Sequence, residues 1–293
     1  MLLVIDVGNT NTVLGIFDGS ALRAHWRLTT SRGQTADEYG LLIRTLFGLE
    51  HIEPNQITGI MIASVVPPLN GLLEEMAEKY FKMKAVFLGP GTRTGVAIHY
   101  DNPQEVGADR IADAVAAFEK YGGPCIIVDF GTAITFDAIS EKGDYLGGII
   151  SPGLGIAAEA LFARAARLPR VDIREPESVI GTNTVASMQS GLFYGAVGLV
   201  DGILDRLMGV LGPGTKVIAT GGQAPLIASA SRYKPPVDSW LTLDGLRIIY
   251  ERNQNGAASA RESSVKKPAG KEAPSRNPRP AARGGAVPVV PKR

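Results

Sequence analysis

The sequence predicts an α/β protein made of two copies of one domain, with an active-site cleft between them and a disordered C-terminal tail. Segments with strand character alternate with helical segments as far as about residue 250, which argues for an α/β chain. The second observation is an internal repeat. LLVIDVGNTNTVLGIFDG (2–19) and CIIVDFGTAITFDAISEKG (125–143) each run from an apolar strand ending in Asp, through x-Gly and a Thr-bearing turn, into a second strand closed by a polar turn. The third is an echo in the same order. IASVVPPL (62–69) and IATGGQAPL (218–226) each place a strand before a small-residue turn and Pro-Leu. Two echoes in one order predict a duplication, with domains at 1–115 and 116–252 and a tail at 253–293.

The elements follow in order. Residues 1–6 read as a buried strand and 11–17 as its antiparallel partner. Residues 35–49 read as an amphipathic helix, opened by a capping box at Thr35 and Glu38. A strand at 58–66 is stopped by Pro67-Pro68, and a helix at 69–81 and a strand at 84–89 follow. The second copy is expected to hold a helix at 108–121 and strands at 124–130 and 133–140. Helices at Gly155–Ala166 and Thr184–Met208 and a strand at 215–222 complete it. Leu246–Tyr250 (LRIIY) reads as a last strand, with the folded body ending near Glu251.

Composition narrows the class. Apolar residues make up 45% of the 293, enough for a sizeable core and against a wholly disordered chain. No apolar run suits a transmembrane helix, and the start MLLVIDVGNT lacks the basic region and cleavage site of a signal peptide. Cys125 is the single cysteine, which excludes an internal disulfide and fits a cytoplasmic location. The net charge of +1 is uneven: nine Lys/Arg against two Glu give residues 253–293 a charge of +7, leaving −6 on the body. An acidic body lacks the basic footprint of a nucleic-acid-binding domain. The tail, with six prolines and no aromatic residue, reads as a disordered, solvated appendage.

The chemistry concentrates in the repeated turns. Asp6-Val7-Gly8-Asn9-Thr10-Asn11-Thr12 sets backbone N–H groups, hydroxyls and amides around one carboxylate. Such a turn suits a metal-chelated polyphosphate, with Asp6 meeting Mg²⁺ directly or through water. Alone it reads first as a hairpin whose Asp and Asn bond only the turn backbone. Its repeat at Asp129-Phe130-Gly131-Thr132-Ala133 favours the first reading, because two facing turns would clamp one phosphate chain from both sides. Gly221-Gly222-Gln223-Ala224, after a third strand, leaves room for backbone approach to an adenosine. Neither a P-loop nor a dinucleotide fingerprint is present. In Gly107-Ala108-Asp109-Arg110, Asp109 reads either as a general base for a hydroxyl attacking a γ-phosphoryl group or as a charge favouring the helix N-terminus. Arg110 offers a fork for a carboxylate. His25, His51 and His99 have no metal-ligand spacing.

Four motifs in order, D-x-G-N-T at 6–10, G-A-D-R at 107–110, D-F-G-T-A at 129–133 and G-G-x-x-x-P-G at 147–153, give residues 1–250 a resemblance to the type III pantothenate kinases. These belong to the acetate and sugar kinase/Hsp70/actin superfamily, whose fold is a pair of actin-like ATPase (ribonuclease H-like) domains. The resemblance implies ATP on the loop from Asp6 to Val13 (Asp6, Val7, Gly8, Asn9, Thr10, Asn11, Thr12, Val13), with Thr132 contacting it from the second loop. It implies a monovalent cation, K⁺ or NH₄⁺, at Asp129, alongside Mg²⁺. It places pantothenate against Tyr100, Gly107, Ala108, Asp109 and Arg110, with Asp109 as proton acceptor and Thr184 near a homodimer interface. The activity implied is phosphorylation of pantothenate, the first step of coenzyme A biosynthesis. Two readings compete: a kinase for another small hydroxy acid or sugar, and a non-catalytic nucleotide-binding regulatory protein. The Ala/Gly-rich stretch 184–208 fits a dimer seam or an ordinary core helix.

Overall fold

Side-chain alternation along the strands decides where everything else goes. The computed structural model describes Met1–Val265, with side-chain surroundings as far as Asn255. The tail expected at 253–293 therefore lies outside the described residues from 266 onward. Leu2–Val7 (β1), Asn11–Asp18 (β2) and Ala21–Thr29 (β3) form an antiparallel meander, and Gly59–Ser64 (β4) and Val86–Phe87 (β5) extend it by parallel pairing, in the order β3-β2-β1-β4-β5. The second sheet repeats the plan. Cys125–Phe130 (β6), Ala133–Ile139 (β7) and Tyr145–Pro152 (β8) form the meander, and Lys216–Thr220 (β9) pairs parallel to β6, in the order β8-β7-β6-β9.

Successive side chains of a strand point to opposite faces. Leu3, Ile5 and Val7 of β1 therefore face an outer layer formed by Ala36–Leu49 (α1) and Asn70–Met76 (α2), the latter continued by a π-helical turn at Ala77–Phe81. Leu2 and Val4 face inward, against Ala108–Tyr121 (α3) and Leu241–Val265 (α7). The second sheet mirrors this. Cys125 and Ile127 face the same inner layer. Ile126, Val128 and Phe130 face outward against Leu154–Arg164 (α4), Thr184–Leu211 (α5) and Ala224–Ala228 (α6). Five layers result, helices–sheet–helices–sheet–helices, and α3 and α7 belong to both halves. That shared layer makes Met1–Asn255 one compact unit.

The expected elements are largely present, and the capping box on α1 is formed, the Thr35 hydroxyl accepting from the Glu38 amide at 3.2 Å. Three details differ. The strand expected at 84–89 is only Val86–Phe87. Strands β3 and β8, which the sequence does not predict, add a third member to each meander. The stretch 246–250 lies inside helix α7 and not in a strand: Leu243, Leu246 and Ile249 recur at helical spacing and are buried in the inner core, while Arg247 pairs with Glu251 four residues on. A short apolar run does not distinguish the two by periodicity alone.

Candidate functional site

Asp6 and Asp129 continue the inward-facing series of β1 and β6, so the same alternation that builds the core aims both carboxylates into the space between the sheets. They line one cavity of about 300 Å³, together with Gly8, Asn9, Thr10, Asn11 and Val13 from the first turn and Gly131 and Thr132 from the second. The turns are near copies. Gly8 N–H donates to Asn11 O at 3.0 Å, and Gly131 N–H donates to Ala133 O at 3.0 Å, with one extra residue in the first turn. Thr10 and Thr132 each stand just before the second strand of their hairpin, and their hydroxyls meet across the cavity at 2.9 Å. Val7 and Thr12 turn the other way. Val7 is core, and the buried Thr12 hydroxyl is 2.9 Å from that of Thr30, which in turn donates to Gly8 O at 2.7 Å. Their side chains brace the first loop from behind.

Asp109 enters the cavity from the first turn of α3. The N-cap itself is Gly107, and Asp109 Oδ1 accepts the Arg110 amide at 2.8 Å. Asp109 thus places its charge in the first turn of the helix while lining the cavity, and it does not cap the helix. One turn further on, Asp113 is buried beneath the site, with Oδ1 lacking a hydrogen-bond partner. These carboxylates perturb one another. Burial first, then Asp109 and Asp129, pushes Asp6 well above the carboxylate range. Burial raises Asp109, against the pull of the Arg110 amide. Burial, with Asp109 and Asp137 adding to it, lifts Asp129 from 3.8 to about 7, opposed by Arg27 and Arg110. Such an excess of hard oxygen donors around a polar void fits cations that arrive with phosphate and water ligands. Among the described residues, no three His, Cys, Asp or Glu side chains form a protein-only cage.

The residues expected to hold the acceptor do not all line this cavity. Gly107 and Ala108 border a second cavity of about 630 Å³, whose wall shares Val65 with the first. Arg110 is clamped: Asp137 Oδ1, fully buried on β7, accepts from Arg110 Nε at 2.8 Å and from the Tyr145 hydroxyl at 2.6 Å. Tyr100 packs on Tyr145, ring centroids 6.4 Å apart. The Gly147-Gly148 pair makes this cluster possible, since a Cβ at Gly148 would overlap the Phe136 carbonyl and the Arg110 guanidinium. Thr184 is exposed at the start of α5, whose N-cap is Asn183. At the far wall, Gly221 (φ +91°) lies where a Cβ would overlap the Asp129 carboxylate.

Sequence reading missed Arg27, Asp137, and Ser239, Trp240 and Thr242, three residues that close the cavity at the start of α7. A signal for Arg27 was present: Asp18-Gly19 followed by alternation is a hairpin signature, and Gly19 does take a positive φ of 59°. Asp137 carried none, as a lone Asp in an apolar strand.

Known proteins resemble this chain closely. The sequence profile of the family described as type III pantothenate kinase matches residues 2–206. A type III pantothenate kinase of Koribacter versatilis is 60% identical over 265 residues, covering 87% of this chain and 97% of the relative. One of Myxococcus xanthus is 57% identical over 253 residues, covering 86% and 99%. Among solved structures, the activator of 2-hydroxyisocaproyl-CoA dehydratase from Clostridium difficile with bound ADPNP superposes with a TM-score of 0.51 at 13% identity, over 92% of this chain and 99% of that one. The ethanolamine utilization protein EutJ from Carboxydothermus hydrogenoformans gives 0.50 at 14% identity, over 83% and 88%. At such identities the structures show the fold alone: the duplicated α/β plan that the repeat predicts, in the actin-like form that the resemblance implies.

Proposed function

The chain belongs to the type III pantothenate kinase family, and from that premise we propose that its cleft transfers the γ-phosphoryl group of ATP to the primary hydroxyl of pantothenate, the first step of coenzyme A biosynthesis. The observation that supports the site most directly is the opposition of the Asp6 and Asp129 turns across one cavity, with Asp109 entering beside them.

In this reading, the backbone amides of Asn9, Thr10, Asn11 and Thr132, with the Thr10 and Thr132 hydroxyls, donate to the phosphate oxygens. Asp6 and Asp129 would hold Mg²⁺ and a monovalent ion, which would supply charge neutralisation to the phosphate chain. Asp109 Oδ1 is held by the Arg110 amide, so Oδ2 takes the proton from the attacking hydroxyl. Burial raises the basicity of this carboxylate, which suits it to that step. Arg110, held by Asp137, faces the carboxylate of pantothenate, with Tyr100 alongside. Positioning and charge stabilisation supply most of the acceleration, since phosphoryl transfer asks little covalent chemistry of the protein.

A homodimer would cover exposed apolar side chains such as Phe162 of α4 and Val185 in the first turn of α5, the latter beside Thr184. A cytoplasmic location fits an ATP-dependent reaction and the single buried cysteine. Among the described residues, no helix is long and apolar enough to cross a membrane.

The test is ADP production from Mg-ATP with and without pantothenate, in KCl and in NaCl. ADP release that requires pantothenate and is faster in KCl is expected. ADP release with other small hydroxy acids or sugars but not pantothenate would reassign the acceptor. ATP binding without turnover in either salt would favour a nucleotide-binding regulatory protein.

A further inference from the structure

We infer that Arg27 is a ligand of the nucleotide's phosphate chain. The inference rests on the reading of the cavity as an ATP site and adds a residue to it. Strand register carries the argument. Asp6 pairs with Val13 across β1–β2, and Val13 pairs with Arg27 across β2–β3. Residues directly opposite in an antiparallel sheet share a face, so Asp6, Val13 and Arg27 form one row facing the inner space. The neighbouring Trp26 and Leu28 pack on the outer core, as alternation requires. From that row Arg27 reaches over the cavity towards the other half: a Cβ added at Gly222 would lie 3.6 Å from Arg27 Nη1. One side chain of the first sheet thus faces the turn after β9.

Charge gives the row its meaning. Arg27 is, among the described residues, the sole Lys or Arg lining a cavity that also exposes Asp6, Asp109 and Asp129. Among the described residues it forms no salt bridge, whereas Arg110 is committed to Asp137. A guanidinium without a carboxylate in contact, turned into a polar void, presents its fork to an incoming planar or tetrahedral oxyanion. The duplication supplies an internal comparison. The matching row of the second half runs Asp129–Thr135–Ile150, with an exposed aliphatic residue where the first half has Arg27. The pseudo-symmetric turns are alike, but the cation is present on one side only, as expected if the phosphate chain lies towards the first sheet.

Titration of nucleotides into the full chain tests this. In Arg27→Ala, KM for ATP and Kd for ADP should rise about tenfold to a hundredfold. KM for pantothenate and Kd for adenosine should stay within about twofold, because adenosine carries no phosphate. Arg27→Lys should recover part of the ADP affinity, through charge without the fork. Should Arg27→Ala lose its cooperative melt, Arg27→Gln is read in its place. Unchanged ADP and ATP constants, or a parallel loss of adenosine binding that marks a structural role, would overturn the inference. Failure of the wild type to turn over pantothenate would instead sink the functional reading, while ADP against adenosine would still decide on Arg27.

Discussion

At the first turn of α3, Asp109 Oδ1 is occupied by the Arg110 amide while the carboxylate still lines the cavity, so the helix fixes the orientation of the second oxygen. Asp109→Asn keeps the amide's acceptor and removes the basicity. We expect kcat to fall by about 10²–10⁴, the usual worth of a general base, with ADP affinity nearly unchanged and Tm at neutral pH no lower than that of the wild type; near-native turnover would remove Asp109 from the mechanism. Asp137 acts one step back, through Arg110. Asp137→Asn should raise KM for pantothenate with KM for ATP unaltered, and Tyr145→Phe, which removes one donor to the same oxygen, should do so more weakly. A loss in both KM values would point to general collapse and against positioning. Asp109 was legible from sequence because it stands in a helix-opening G-A-D-R. Asp137 was not, because only β8, folded back beside β7, shows what a buried Asp is for.

The repeated hairpins could be read because each copy sets an apolar alternation against a Gly turn, a local signal that tertiary packing reinforces. Helix α7 was misread because its buried face belongs to contacts with two sheets and a second helix, none of them local. The consequence falls on the expected boundary after residue 252. Asn253 lies in α7 and clamps the 90s loop: its Oδ1 accepts from Arg93 N at 3.1 Å and its Nδ2 donates to Arg93 O at 3.1 Å. Removal of residues 253–293 should leave kcat unchanged. Stability should differ with the cut. A chain ending at Arg252 should be less stable than one ending at Asn255 by about 1–2 kcal/mol, the scale of a lost pair of hydrogen bonds. Denaturant midpoints of the two chains check this, and equal midpoints would show that the clamp is idle.

Across the whole molecule, two sheets aim their terminal carboxylates into one space, and the fold bears the cost until ligands arrive. The sign of the pH dependence follows from linkage. Asp129 titrates near 3.8 when unfolded and at about 7 when folded, so between those values the native state binds the extra proton. Stability of the ligand-free protein is then greatest at the acidic side of the window and is lost as pH rises towards 7; Asp6, Asp109 and Asp113, also raised, act in the same direction. From pH 5.5 to 7 the Asp129 contribution alone amounts to about 2 kcal/mol, at 1.4 kcal/mol per pH unit. Thermal melts without nucleotide should therefore show a lower Tm at pH 8 than at pH 5.5. Asp129→Asn, neutral at both values, should flatten that slope. Mg-ATP with K⁺ should raise Tm more at pH 8 than at pH 5.5, because cations replace the proton that the carboxylates have given up. A wild-type Tm that rises with pH over this range would mean that the two turns do not repel each other in solution, and the account of the cleft as a site built around cations would fail with it.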